Sequence, residues 1–148
     1  PAEFHYHEID TLMVGCLVNK QSPLAQLKKI SLAQAMDYPI MTAYQLGDAN
    51  NLVANVLKKY DVLDKAHFIP INDLYLMKTY LHQNLSIALD FIPEHIVQCR
   101  ENRHENLQLI PLHEKYTISF GYLTLKAQDP KQIKELLQTV EHVFFNRA

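Results

Sequence analysis

The chain has 148 residues, of which 48% are hydrophobic and 20% charged, and its formal net charge is −2. Those totals fit one ordinary domain or two small lobes, and they exclude a disordered chain and a large basic surface for nucleic acid. No apolar run approaches the roughly 20 residues of a bilayer-spanning helix, and three glycines are too few for Gly-rich phosphate loops.

Residues Pro1 to Asp10 carry three charges and two histidines and lack the apolar core of a signal peptide. A start at Pro1 in place of Met suggests a processed or excised piece. Thr11 to Val18 is an almost continuous apolar run, as expected for a strand buried on both faces. Asn19 to Lys29 is polar and loop-like, with Pro23 breaking any helix. Ser31 caps a short helix from Leu32 to Met36, Asp37-Tyr38-Pro39 is a turn, and Ile40 to Tyr44 is a short strand. Asp48 is placed to cap a helix from Ala49 to about Tyr60, where Leu52, Val53, Val56 and Leu57 keep helical spacing. Ala66 to Ile71 is the next strand. Asn72 or Asp73 caps a helix striped by Leu74, Met77, Tyr80 and Leu81.

Leu85 to Phe91 reads as a strand, and Pro93 suits the first turn of a helix running to about Arg100. A charged loop, Glu101 to Asn106, precedes a strand from Leu107 to Leu112. Tyr116 to Lys126 alternates clearly and forms another strand. Asp129-Pro130 opens a final amphipathic helix lined by Ile133, Leu136, Leu137, Val140, Val143 and Phe144. Strands alternating with helices of this length imply an α/β sheet with parallel neighbours.

Several chemistries are disfavoured by the residues. His5 and His7 share a face on a strand, but a metal site needs further ligands in a matching place, so a solvent-facing terminal segment is expected there. No G-x-S-x-G elbow and no dinucleotide fingerprint occurs. Cys16 and Cys99 sit in apolar or helical patterns and read as reduced thiols in a cytoplasmic protein. Catalytic residues, metal and cofactor are therefore not assigned. What remains is a set of polar residues at strand-to-helix junctions, where parallel sheets bind ligands: Thr42 and Tyr44, Asn72, and Asp90 with Phe91.

The order and spacing of these segments resemble the C-terminal part of a LysR-type transcriptional regulator. Thr11-Leu12-Met13-Val14 through Ser22-Pro23-Leu24-Ala25 resembles that family's strand followed by His-Pro-Leu-Ala, with Ser22 at the usual His. Ile30 to Ala35, Tyr38-Pro39-Ile40, and the Asn72-Asp73 step are similar to its following segments. Asn84 to Pro93 resembles its G-x-G-I-A-x-x-P stretch, with Asn84 and Ser86 at the two glycines, and the strand from Tyr116 and the last helix match its ending. Asn can adopt the left-handed conformation that the first glycine supplies; Ser86 carries a Cβ where the family has none.

The resemblance implies an α/β, type II periplasmic-binding-protein-like fold, with a Rossmann-like lobe on a mixed, mainly parallel sheet. Residues 1–18 would be a crossover strand region from the first lobe, 19–115 the second effector-binding lobe, and 116–148 the return crossover strand and a helix of the first lobe. It implies an effector-sensing domain that binds a small metabolite between lobes, at Thr42, Tyr44, Asn72, Asp90 and Phe91. DNA would be contacted only through an N-terminal domain missing from this sequence; a homo-oligomer, no membrane and no catalysis are expected. Two other functions share the fold, a solute-binding protein of a transport system and an enzyme lobe.

Overall fold

The computed structural model describes residues 4–42, 52–71, 73–99, 106–125 and 130–145. The chain divides into two units: Leu12–Thr117, and Pro1–Thr11 together with Ile118–Ala148. The larger unit carries strands in the spatial order β3 (Phe68–Pro70), β2 (Ile40–Thr42), β4 (Ile87–Pro93), β1 (Phe4–Asn19), β5 (Leu107–Pro111). Its helices are α1 (Leu32–Ala35), α2 (Leu52–Lys59), α3 (Leu74–His82) and α4 (Glu94–Cys99).

The sheet is mixed. β2 pairs parallel with β3 and with β4, whereas β1 is antiparallel to β4, from Leu12↔Pro93 to Leu17↔Ala88, and antiparallel to β5, from Gly15↔Pro111 to Asn19↔Leu107. Because β1 is flanked on both edges and covered on both faces, its sequence is a continuous apolar run rather than an alternation. Alternation survives in what each residue touches. Val14, Cys16 and Val18 enter the main core with Ile30, Leu57 and Ile110. Met13 and Leu17 face the other way, toward Val97 and Leu109. On that second face a Cβ at Gly15 would lie 2.9 Å from Leu109 Cδ1, so the glycine makes room for that β5 side chain, while Val97 Cγ2 of α4 would stay at ordinary contact distance, 3.5 Å. Burial pushes the Cys16 thiol well above its ordinary range and keeps it protonated, the state of a small core residue rather than a nucleophile.

Local hydrogen bonds set the helix ends. Ser31 and Gln34 form a reciprocal capping box on α1, and both carboxylate oxygens of Glu114 accept from Leu32 N–H at 3.0 Å. Pro23 begins a 3-10 turn, Pro23–Gln26, instead of excluding helix; Ser22 accepts from Leu24 N–H ahead of it, and a first-turn proline has no N–H to waste. Two helices end on a left-handed residue, Asp61 after α2 and Asn84 after α3, each at φ 56°. Their closing bonds, Val62 N–H to Leu57 O and Leu85 N–H to Tyr80 O, are the six-to-one bonds of a Schellman ending. Asn84 thus supplies the conformation for which the resembling family uses glycine.

Asn19 ties the end of β1 to the end of α3. It is 4% exposed. Its amide donates to Leu81 O at 3.1 Å and His82 O at 2.7 Å, while its Oδ1 accepts from Gln21 N–H at 2.8 Å. The last carbonyls of a helix have no intrahelical donors, and one buried side chain meets two of them.

The smaller unit contains the first part of β1, β6 (Thr117–Leu125), which pairs with β1, and α5 (Pro130–Phe145). Tyr6 OH and Ser119 Oγ are 2.6 Å apart, and Ser119 donates to Glu8; with its proton committed there, Ser119 accepts from Tyr6. His7 Nε2 lies 2.8 Å from Thr124 Oγ1, and its ring stacks on Tyr122 at 5.1 Å between centroids. A Cβ at Gly121 would collide with the His7 backbone oxygen. Along α5, Ile133, Leu137 and Val140 are half-buried and Leu136 is 54% exposed.

Three expectations are corrected here. β1 starts at Phe4 instead of Thr11, because cross-strand pairing with β6 orders a polar segment that has no apolar signal of its own; the segment is solvent-facing at Phe4, His5, Tyr6 and Glu8, and His7 is half-buried in that pairing. β4 starts at Ile87 and runs through Pro93, held by β1, so Pro93 ends a strand and α4 begins at Glu94. The strand expected from Ala66 starts at Phe68, because a 3-10 turn at Leu63–Lys65 uses the preceding backbone.

Asn19→Ala should lower unfolding stability by about 1 kcal/mol, since it removes the amide bonds to Leu81 O and His82 O while Asn84 N–H still donates to Leu81 O; Asn19→Asp should cost at least as much, because it opposes carbonyl oxygens with a carboxylate. Chemical denaturation measures both. Gly121→Ala should remove amide-exchange protection from residues 4–10 and 118–125 while the core of Leu12–Thr117 keeps its protection; hydrogen exchange resolved by residue checks this.

Candidate ligand-binding edge

β2, β3 and β4 run in one direction, and β5, antiparallel to β1 as β4 is, shares it. The carboxyl ends of β3, β2, β4 and β5 therefore gather along one edge of the sheet, where open α/β sheets place their ligands. Thr42 is the last residue of β2, one step beyond the Met41↔Ala88 pair. Asp90 lies two residues beyond Ala88 on β4, opposite Gly15 of β1. Topology thus brings Thr42 and Asp90 to the same edge. Tyr44 and Asn72 lie outside the described residues.

Asp90 and Phe91, adjacent on a strand, point to opposite faces. Phe91 packs against the main core and meets the Tyr116 ring edge-on at 6.1 Å between centroids. Tyr116 in turn carries Lys59 Nζ 4.8 Å from its ring centroid, and Tyr60 OH donates to Lys115 O at 3.0 Å. Phe91 is thereby part of a packed aromatic corner. Asp90 is on the α4 face and exposed, with Oδ1 accepting from Phe91 N–H at 2.7 Å. The protein mass around it partly desolvates the carboxyl and raises its pKa above the ordinary aspartate value, and the Phe91 hydrogen bond opposes that rise. Its exposed surface by area keeps the effect modest.

The helix starts along this edge are already supplied with negative charge. Asp73 caps α3, accepting from Tyr75 N–H at 2.7 Å and Leu76 N–H at 3.1 Å. Its carboxylate occupies the donors that the Asn72-Asp73 step could otherwise have offered to an anion. Glu94 stands in the first turn of α4.

A second feature of the edge escaped the sequence reading. On the β5 side, a cavity of about 450 Å³ opens over Met13, Pro111 and Leu112, with Lys28, Lys29 and Lys115 around it. Glu94 and Thr117 complete the lining. Backbone bonds shape its wall: Ile30 N–H donates to Pro111 O at 3.2 Å and His113 N–H to Ile30 O at 2.8 Å. The signal was the Lys28-Lys29 pair, which on its own reads as a solvated loop; only the bridge between Ile30 and Leu112 puts it beside Lys115.

No family model and no curated protein matches the sequence. Solved structures do. HinK, a LysR family transcriptional regulator from Pseudomonas aeruginosa, superposes with a TM-score of 0.73 at 11% identity, over 100% of this chain and 51% of that one. The effector binding domain of a BenM variant gives 0.71 at 15% identity, over 100% of this chain and 69% of that one. The effector binding domain of QuiR, in complex with shikimate, gives 0.65 at 11% identity, over 97% and 66%. The chain thus spans about half the length of HinK and about two thirds of the two effector binding domains. Among the described residues no helix is long and apolar enough to cross a membrane. The strand order, the gathered strand ends and these superpositions together give the chain the α/β, periplasmic-binding-protein-like fold of LysR-type effector-binding domains.

Proposed function

We propose that the chain is the effector-sensing part of a LysR-type transcriptional regulator. It binds a small metabolite at the carboxyl edge of the β3-β2-β4 strands and passes the binding energy to the regulator's arrangement on DNA. The supporting observation is the likeness of the whole chain to effector-binding domains, some of which hold small acids: shikimate in QuiR, benzoate in BenM, 2-PG in CcmR. A sensor of this kind works only if the ligand binds one arrangement of the protein better than another. The ligand sits between two lobes of the longer protein, of which residues 19–115 supply the second, with residues 1–18 and 116–148 as the crossover strands and a helix of the first. DNA is contacted by a separate domain of the longer protein, which works in the cytoplasm as a homo-oligomer. The chain itself is a sensor and not a catalyst.

Within this reading, Thr42, Tyr44, Asn72 and Asp90 face the effector, and Phe91 holds the strand that presents Asp90. With carboxylates at Asp73, Asp90 and Glu94, the described part of the edge favours a ligand that turns a hydroxyl or ammonium donor toward Asp90.

Asp90→Asn separates structure from sensing. A carboxyl whose pKa is raised in the fold is most compatible with folding when protonated. Its stability contribution is therefore present below the ordinary aspartate range and is lost as pH rises through the raised value. The Asn variant should be slightly more stable at pH 7, by about 0.5 kcal/mol or less given the exposure, with the difference vanishing in acid. In the full regulator the same variant should weaken the effector response of a reporter gene tenfold or more. An unchanged response in a variant of unchanged fold would remove Asp90 from the site; a chain whose presence makes no metabolite-dependent difference to transcription would overturn the regulator reading.

A further inference from the structure

We propose that the lysine-ringed cavity on the β5 side is a binding site for a small organic anion of charge about −2, a phosphate monoester or a dicarboxylate with a compact apolar body. The reasoning starts from charge. Lys28, Lys29 and Lys115 bring three positive charges to one cavity, and Glu94 returns one negative charge. Among the described lining residues lysines outnumber carboxylates three to one, in a chain whose overall net charge is −2.

The floor supplies the second half of the ligand's chemistry. Met13, 6% exposed, and Leu112, 2% exposed, present apolar atoms beside Pro111. Lysine ammonium groups on flexible stems can converge on an anion while their methylenes extend the apolar wall. Thr117, at the start of β6, adds a hydroxyl that donates or accepts. About 450 Å³ falls within the range of small-molecule sites.

The wall is fixed before any ligand arrives. The Ile30–Leu112 bridge holds the residues after Lys29 against the end of β5. Tyr60 anchors the Lys115 carbonyl, and Glu114 is spent on the α1 cap, where its two oxygens meet Leu32 N–H. Glu114 is therefore committed to the α1 cap and is not part of the cavity lining. This site lies at the β5 end of the carboxyl edge, opposite in sign to the Asp90 end, and the proposal does not depend on the regulator reading.

The test is a titration of the isotope-labelled chain with phenyl phosphate and phthalate, with inorganic phosphate as the anion lacking an apolar body, followed by amide chemical shifts. The expected result is saturable binding of phenyl phosphate or phthalate with shifts centred on Met13, Leu112, Lys115 and Thr117. Inorganic phosphate should bind at least tenfold more weakly. The double variant Lys29→Glu/Lys115→Glu should raise Kd tenfold or more, and Lys29→Gln/Lys115→Gln should raise it less while leaving the fold intact; the glutamine pair carries the test if charge reversal disturbs folding. Which of the two probes binds tighter assigns the phosphate or the carboxylate. Shifts elsewhere, equal binding of inorganic phosphate, or affinity unchanged in both double variants would overturn the proposal.

Discussion

The pairing of β1 with β4 on one side and β5 on the other is the constraint on which the larger unit depends. A central strand in that position has both edges paired from Gly15 to Leu17 and most of its side chains buried, so its polar backbone groups there find their partners within the protein. Val14, Cys16 and Val18 join one core, and Met13 and Leu17 join another, with Gly15 between them leaving space for Leu109 of β5. The strand then ends on Asn19, whose amide closes α3. A single strand thus fixes the registers of both neighbours, the seat of α4 and the last turn of α3.

That geometry also decides what the carboxyl edge can offer. β4 is pinned to β1 as far as Pro93, so Asp90 is held in a regular ladder and does not sit on a free loop. Phe91, Tyr116 and Lys59 form the packed corner behind it. Helix starts elsewhere often serve as anion sites because their N–H groups are free. Here Asp73 has taken those of α3 and Glu94 stands in the first turn of α4, so positive charge along the described edge comes from lysine side chains on the β5 side. The edge is electrically divided, negative near β4 and positive near β5.

Much of this was legible in the sequence. The apolar run around Cys16 announced a strand buried on both faces, Ser31 announced a cap, and the strand–helix alternation announced an α/β sheet; each follows from local chemistry acting on a few residues. Asn84 could be read as a left-handed helix ending because few side chains tolerate that conformation. Other features depend on residues far apart in sequence and leave no local trace. The first seven residues of β1 are ordered by β6, over a hundred positions away. The antiparallel sense of β1, the extension of β4 to Pro93, and the meeting of Lys28 and Lys29 with Lys115 are set by the same kind of tertiary contact. At the edge itself the sequence marked Thr42 and Asp90, which the topology brings together, and joined Phe91 to them although strand alternation turns it into the core.

The central claim, that the chain binds a small effector at the carboxyl edge of its parallel strands, is tested most directly by a thermal-shift screen of small metabolites, with amide shifts recorded for each stabilising compound. Ligands raise apparent stability in proportion to the logarithm of their concentration over Kd. The account predicts at least one compound that raises the unfolding midpoint in a concentration-dependent way and perturbs amides around Thr42, Asp73 and Asp90. Stabilising compounds that all perturb residues away from that edge, or steady chemical conversion of the bound compound, would contradict it.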